Sequence, residues 1–245
     1  MVAGPAAADA VRRAKALPRL RVGLHVVLVE GRPALPPEQI PDLVGPDGFF
    51  RSGLMRLSFE IALRPALRRQ AAAEIAAQFE AYKATGLALD HVDAHRHLHL
   101  HPIIATEIIA IGAHYGMRAL RVPDEPTAVL RRIEPGVKPR FPLLGPVTAL
   151  LREKARRAGL TTPDAVFGLA WSGAMATARV RGLIAHLPPG FVELYTHPAT
   201  GNDFAGHAPG YRYTDELAAL CDPQCIAALR QSGYRLGGYS DFATT

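Results

Sequence analysis

Cysteine is nearly missing from this chain: Cys221 and Cys225 are its 2 cysteines in 245 residues. Two thiols cannot build a disulfide framework. With Pro223 between them and no further Cys to complete a zinc site, both read as structural thiols in a reducing compartment. Tryptophan occurs once. No uninterrupted apolar run reaches the roughly 18–20 residues of a membrane span. Residues 1–10 are rich in Ala and lack the basic start and apolar core of a signal peptide. These absences exclude a disulfide scaffold and a membrane-spanning helix, and the expectation is a soluble, cytoplasmic protein.

Hydrophobic residues make up 49% of the chain and charged residues 20%, enough to bury a core and too apolar for a wholly disordered chain. The length suits a single domain over 1–245, for which an α/β barrel is an ordinary solution. A formal net charge of +6 suits an anionic surface, a lipid or a nucleic acid without selecting one. No nucleic-acid-binding motif accompanies it, and the 7 Tyr and 9 Phe are dispersed, so nucleic acid is not an expected partner.

Apolar strands and amphipathic helices alternate along the chain. Residues 21–29 are rich in Val and Leu and read as a buried strand. Residues 31–53 carry five prolines (Pro33, Pro36, Pro37, Pro41, Pro46) and read as an irregular excursion. A helix is expected over 58–85, with Leu67, Ala71, Ile75, Phe79 and Tyr82 on one face, Pro65 as a kink or restart, and Gly86 as its stop. Strands follow at 87–93, 118–122, 164–168, 191–196 and 234–239. Helices follow at 102–115, 144–158 and 177–186, and another over 214–230 is interrupted near Pro223. Such alternation implies a mostly parallel sheet, in which working residues stand at the C-terminal ends of strands.

Histidine is concentrated at such an end. Residues 91–101 hold five of the 10 His of the chain, and every odd position from 91 to 101 is His or Asp. In an extended chain these positions share one face. A strand over 87–93 would deliver Asp93 and His95 to its C-terminal end. Neutral imidazole binds divalent transition metals, and a neighbouring carboxylate can orient it. His25, inside an otherwise apolar strand, has a structural reading as ready as a functional one, and the need for further ligands favours the latter. His197 closes Val192-Glu193-Leu194-Tyr195-Thr196-His197-Pro198 just past another strand. Three histidines from three strand ends suggest a metal-assisted hydrolase, with a histidine off the metal able to protonate a leaving nitrogen. Residue chemistry alone names no substrate.

At Val22-Gly23-Leu24-His25, at Asp93-Ala94-His95-Arg96-His97-Leu98-His99-Leu100-His101-Pro102, at 192–198 and at Gly233-Tyr234-Arg235-Leu236-Gly237-Gly238-Tyr239, the chain resembles the YdjC-like carbohydrate deacetylases, distant relatives of NodB-type deacetylases. The excursion over 31–50, with its Leu-Pro-Pro and Gly-Phe-Phe, resembles more particularly the HpnK branch, associated with hopanoid biosynthesis. The resemblance implies a deformed (β/α) barrel that removes acetyl from an N-acetylated sugar. Its favoured substrate is a hopanoid-linked N-acetylglucosamine, and the alternative is a chito-oligosaccharide. It further implies one divalent metal ion on His25 and His95, Mg²⁺ by family association and Zn²⁺ by ligand type. His197 would be the general acid, and Asp93 would support the metal geometry. Family members open with a strand ending Ala-Asp-Asp-Phe-Gly, which this sequence lacks. The expectation is therefore a barrel with its first strand missing and weak activity, or a non-catalytic binding remnant.

Basic residues gather at Arg131, Arg132, Lys138, Arg140, Arg152, Lys154, Arg156 and Arg157, around an apolar stretch over 141–151. A core-facing helix with a solvated basic side is the favoured reading. Peripheral contact with an anionic membrane, admitting a glycolipid, is the other. A homodimer completes the partners considered.

Overall fold

The computed structural model describes residues 1–141 and 144–242. In chain order its elements are α1 (Ala7–Lys15), β1 (Val22–Val26), α2 (Leu54–Leu63), α3 (Pro65–Ala84), β2 (Leu89–Ala94), α4 (Pro102–His114), α5 (Thr127–Ile133), α6 (Gly145–Arg157), β3 (Ala165–Phe167), α7 (Thr177–His186), β4 (Val192–Leu194), α8 (Tyr213–Cys221) and α9 (Pro223–Gln231). Short 3-10 turns lie at Pro37–Gln39, His95–Leu100 and Tyr239–Asp241. Two compact units result. The first comprises Met1–Arg121, Ala149–Thr162 and Gly237–Thr245, and the second Val122–Thr148 and Pro163–Leu236.

In the first unit β1 and β2 pair in parallel, with His25 opposite Asp93 and Val26 opposite Ala94. The connection between them carries α2 and α3, as a parallel pair requires. Pro65 restarts the helix rather than kinking it, because it occupies the first turn, where its missing N–H costs nothing. Leu67, Ala71, Ile75, Phe79 and Tyr82 are all buried, as their spacing predicts. Gly86, at φ 73°, takes the left-handed position that ends α3. Gly23 sits in a strand for a steric reason: a Cβ there would lie 2.7 Å from the His91 ring.

β1 ends earlier than the apolar run suggests. The side-chain amide of Gln78 on α3 accepts from the Val27 N–H at 2.9 Å and donates to the Val27 carbonyl at 2.6 Å. A helix side chain thus takes the place of a neighbouring strand. Gln78 also donates to Glu74 at 2.7 Å, and Glu74 accepts from the Ala34 and Leu35 N–H groups, anchoring the excursion over 31–53. Burial pushes the Glu74 carboxyl up from its ordinary value against those three hydrogen bonds.

Two expected strands differ. The segment over 118–122 forms single parallel bridges, Val92 to Leu120 and Ala119 to Thr161, in place of a full strand. The segment over 234–239 is irregular and ends in the 3-10 turn, because side-chain oxygens claim its amides. The Asp90 carboxylate accepts from the Tyr239 N–H at 3.1 Å and from the Ser240 N–H at 2.9 Å. The period-two reading of 91–101 holds through Ala94. Beyond it the chain enters a turn in which Arg96 and His97 take φ of 55° and 56°.

In the second unit β3 pairs in parallel with β4, with α7 in the connection. Phe167, Trp171, Met175, Val180, Leu183, Ala219 and Cys225 form its buried core. The break near Pro223 is a helix start: the Asp222 side chain accepts from the Cys225 N–H at 2.8 Å and caps α9. Cys221 and Cys225 are free thiols. On α6, whose residues 149–157 belong to the first unit, Leu151 and Ala155 are buried while Arg156 and Arg157 pair with the half-buried Glu153, the amphipathic arrangement favoured from sequence. Pro142 and Leu143 of that apolar stretch lie outside the described residues. Among the described residues no helix is long and apolar enough to cross a membrane.

Replacing Gln78 with Leu leaves the N–H and carbonyl of Val27 buried without their partner. The expected loss is roughly 2–4 kcal/mol of unfolding free energy, measured by urea denaturation.

Candidate functional site

The parallel register of β1 and β2 sets His25 beside Asp93, and the turn after β2 brings His95 onto His25. His25 Nδ1 lies 2.8 Å from Asp93 Oδ1, and its Nε2 lies 3.4 Å from His95 Nδ1. The two rings meet edge to face, with centroids 5.6 Å apart. His95 Nε2 lies 3.7 Å from Glu30 Oε2, and Glu30 Oε1 lies 3.4 Å from Arg96. His25 thus has a carboxylate hydrogen-bonded to its outer nitrogen, His95 has one nearby at 3.7 Å, and the inner nitrogens face one another. A carboxylate on the far nitrogen fixes the tautomer of a metal-binding histidine and raises its basicity.

The buried Asp93 also accepts from Arg121 Nη1 through its second oxygen. Burial pushes its carboxyl up. The Arg121 charge, then the charge and hydrogen bond of His25, outweigh that cost and hold it well below the usual range. Asp93 is an ionised bridge between a guanidinium and an imidazole, with both oxygens engaged. The remaining histidines of the cluster diverge. His99 is wholly buried, its ring nitrogens have no hydrogen-bond partner among the described residues, and burial pushes it down to about 3. His91 stacks on Tyr239 with centroids 4.3 Å apart and holds Asp90 at 2.9 Å. Among the described residues no group of three His, Cys, Asp or Glu could hold a metal ion. The His25–His95 pair brings two inward nitrogens together, without a third such residue among the described ones.

In the second unit, His197 follows β4. Its backbone N–H donates to Glu216 Oε2 on α8, and its Nδ1 lies 3.9 Å from the same oxygen. The rings of Tyr195 and Tyr211 meet its imidazole edge-on at 5.6 and 5.2 Å. Its side chain is 40% exposed, so its imidazole is within reach of solvent. After β3, the Glu125 carboxylate accepts from the N–H groups of Gly168, Leu169 and Ala170, at 2.8–2.9 Å, and shapes that loop.

Comparison with known proteins gives this arrangement a family. The model of the family described as YdjC-like protein matches residues 1–231. The chain belongs to this family. A carbohydrate deacetylase of Geobacillus stearothermophilus is 29% identical over 242 residues, covering 97% of this chain and 82% of that protein. A human carbohydrate deacetylase is 30% identical over 250 residues, covering 89% and 74%. A solved structure from Enterococcus faecalis, described as a proposed cellobiose-phosphate cleavage protein, superimposes with a TM-score of 0.76. It covers 100% of this chain and 86% of its own at 21% identity, and shares the α/β fold.

Three charged residues of this YdjC-like chain stand around the histidines without a signal in the sequence reading: Arg121, Glu30 and Glu216. Arg121 had the best chance of notice, as a charge within an otherwise apolar segment. Glu30, at φ 54°, stands in the irregular excursion, and Glu216 looks like an ordinary first-turn acid of a helix.

Asp93→Ala strands the Arg121 guanidinium, whose side chain is 11% exposed. The expected cost is about 3–5 kcal/mol in chemical denaturation.

Proposed function

We propose that this YdjC-like protein removes the acetyl group from an N-acetylated amino sugar, with a divalent ion held by His25 and His95. The observation that carries the reading is the pair of inward nitrogens 3.4 Å apart, each ring backed by a carboxylate. The relatives named carbohydrate deacetylase support the reaction class. Imidazole donors suit Zn²⁺ better than Mg²⁺, against the family association with Mg²⁺. When bound, such an ion supplies Lewis acidity toward the amide carbonyl and positive charge for the developing oxyanion.

The protein's own residues do the rest. Asp93 holds His25 by Nδ1 and leaves Nε2 for the ion, and Glu30 lies 3.7 Å from His95 Nε2, on the side away from His25. Water adds to the amide carbonyl carbon and gives up a proton to solvent; His197, protonated, then donates to the amine nitrogen as the C–N bond breaks, so acetate and a free amino sugar leave. The favoured sugar is an N-acetylglucosamine linked to a hopanoid, reached by peripheral contact with a membrane. The support for it is the likeness of residues 31–50 to the HpnK branch, and a chito-oligosaccharide is the alternative. Because the described residues bring two ligands and no third, a protein that binds the sugar without turnover is the reading of another class.

Isothermal titration with Zn²⁺ and elemental analysis test the ion. His25→Ala and His95→Ala are each expected to weaken binding at least about tenfold. His197→Ala should keep the metal content and lower deacetylation by about 10²–10⁴-fold. Equal metal loss in His197→Ala would make that residue a ligand and overturn its role as acid.

A further inference from the structure

We propose that Glu216 is the positioning residue of His197, an inference that rests on the reading of His197 as the acid. Glu216 lies in the first turn of α8, yet its side chain is wholly buried. Its Oε1 accepts from the Met175 N–H at 2.9 Å, and its Oε2 accepts from the His197 N–H. Two backbone donors alone would make it a loop anchor of the kind Glu125 already provides in this unit. The difference is what else Oε2 faces. It stands 3.9 Å from His197 Nδ1, so one carboxylate oxygen holds the main chain of the histidine and lies beside its ring.

The ring is also confined from its sides. Tyr195 and Tyr211 meet it edge-on, and the Tyr211 hydroxyl is itself fixed by Ser172 Oγ at 2.7 Å. A buried negative charge beside Nδ1 favours a proton there and stabilises the imidazolium. The proton available for donation is then the one on Nε2. It passes to the amine nitrogen as the C–N bond breaks, and the neutral ring keeps Nδ1–H toward Glu216. The charge thus serves the acid form and fixes which nitrogen gives up its proton.

Leaving-group chemistry tests this with the metal-supplemented protein. Diacetylchitobiose needs a proton on its leaving amine, whereas 4-nitrophenyl acetate releases a phenolate that needs none. Glu216→Gln should lower kcat on the amide by about 10–100-fold with KM within about twofold, and lower the ester rate by less than about threefold. Equal losses on both substrates, or none on either, would overturn the proposal. Glu216→Asp keeps the charge, and should show the same selectivity at smaller amplitude if the Gln variant does not fold. His197→Ala separates the two readings. If it lacks this selectivity, the role of His197 as acid fails; if it has the selectivity and the Glu216 variants do not, Glu216 alone fails. Two-bond ¹H–¹⁵N spectra of the wild type need no turnover: they should show neutral His197 as the Nδ1–H tautomer, and an Nε2–H tautomer would overturn the assignment.

Discussion

The Asp93 carboxylate, shared between Arg121 and His25, is the interaction on which the first unit's chemistry depends. A buried carboxylate is costly, and that cost is offset where both oxygens meet charged or polar donors. Arg121 supplies the permanent charge, so the bond to His25 need not carry the whole compensation. Asp93 holds His25 by Nδ1, which leaves Nε2 facing His95. The position of this triad follows from backbone register: β1 against β2 sets residue 25 opposite residue 93, and the bond from the Arg121 N–H to the Val92 carbonyl at 3.0 Å brings residue 121 alongside. Three neighbouring backbones each contribute one member, which makes the group rigid.

Much of this was legible before any coordinates. The face of Leu67, Ala71, Ile75, Phe79 and Tyr82 is buried because a 3.6-residue period needs only local geometry to be read. The kink or restart at Pro65, the interruption near Pro223 and the stop at Gly86 were legible for the same reason: proline and glycine act on their own backbone. His25, Asp93 and His95 were singled out by residue type and place, and the structure brings these three together.

What sequence reading missed is non-local. Strand β1 stops where Gln78, 51 residues away, takes the Val27 amide and carbonyl. The segment over 234–239 fails as a strand because Asp90, 149 residues from Tyr239, offers its oxygens instead. No periodicity in either segment records such a partner. The alternation over 91–101 misleads beyond Ala94 for a related reason. Once Arg96 and His97 turn to positive φ, side chains at odd positions no longer share a face, and His99 goes into the core while His95 meets His25.

The histidines then sort by the company of a carboxylate. His25 has Asp93, His95 has Glu30, His91 has Asp90 and His197 has Glu216. A carboxylate on one ring nitrogen decides what the other can do, because it settles where the proton resides. For His25 and His95 two inner nitrogens face one another at 3.4 Å, the arrangement on which the proposed ion site rests. For His197 the Glu216 carboxylate stands 3.9 Å from Nδ1, the contact on which its proposed role rests. His99 shows the contrast: buried with its ring nitrogens unmatched by any hydrogen bond among the described residues, it is driven to the neutral form and serves packing. Its ring meets that of His97 edge to face, with centroids 5.9 Å apart, in the turn after β2 and not in the His25–His95 pair.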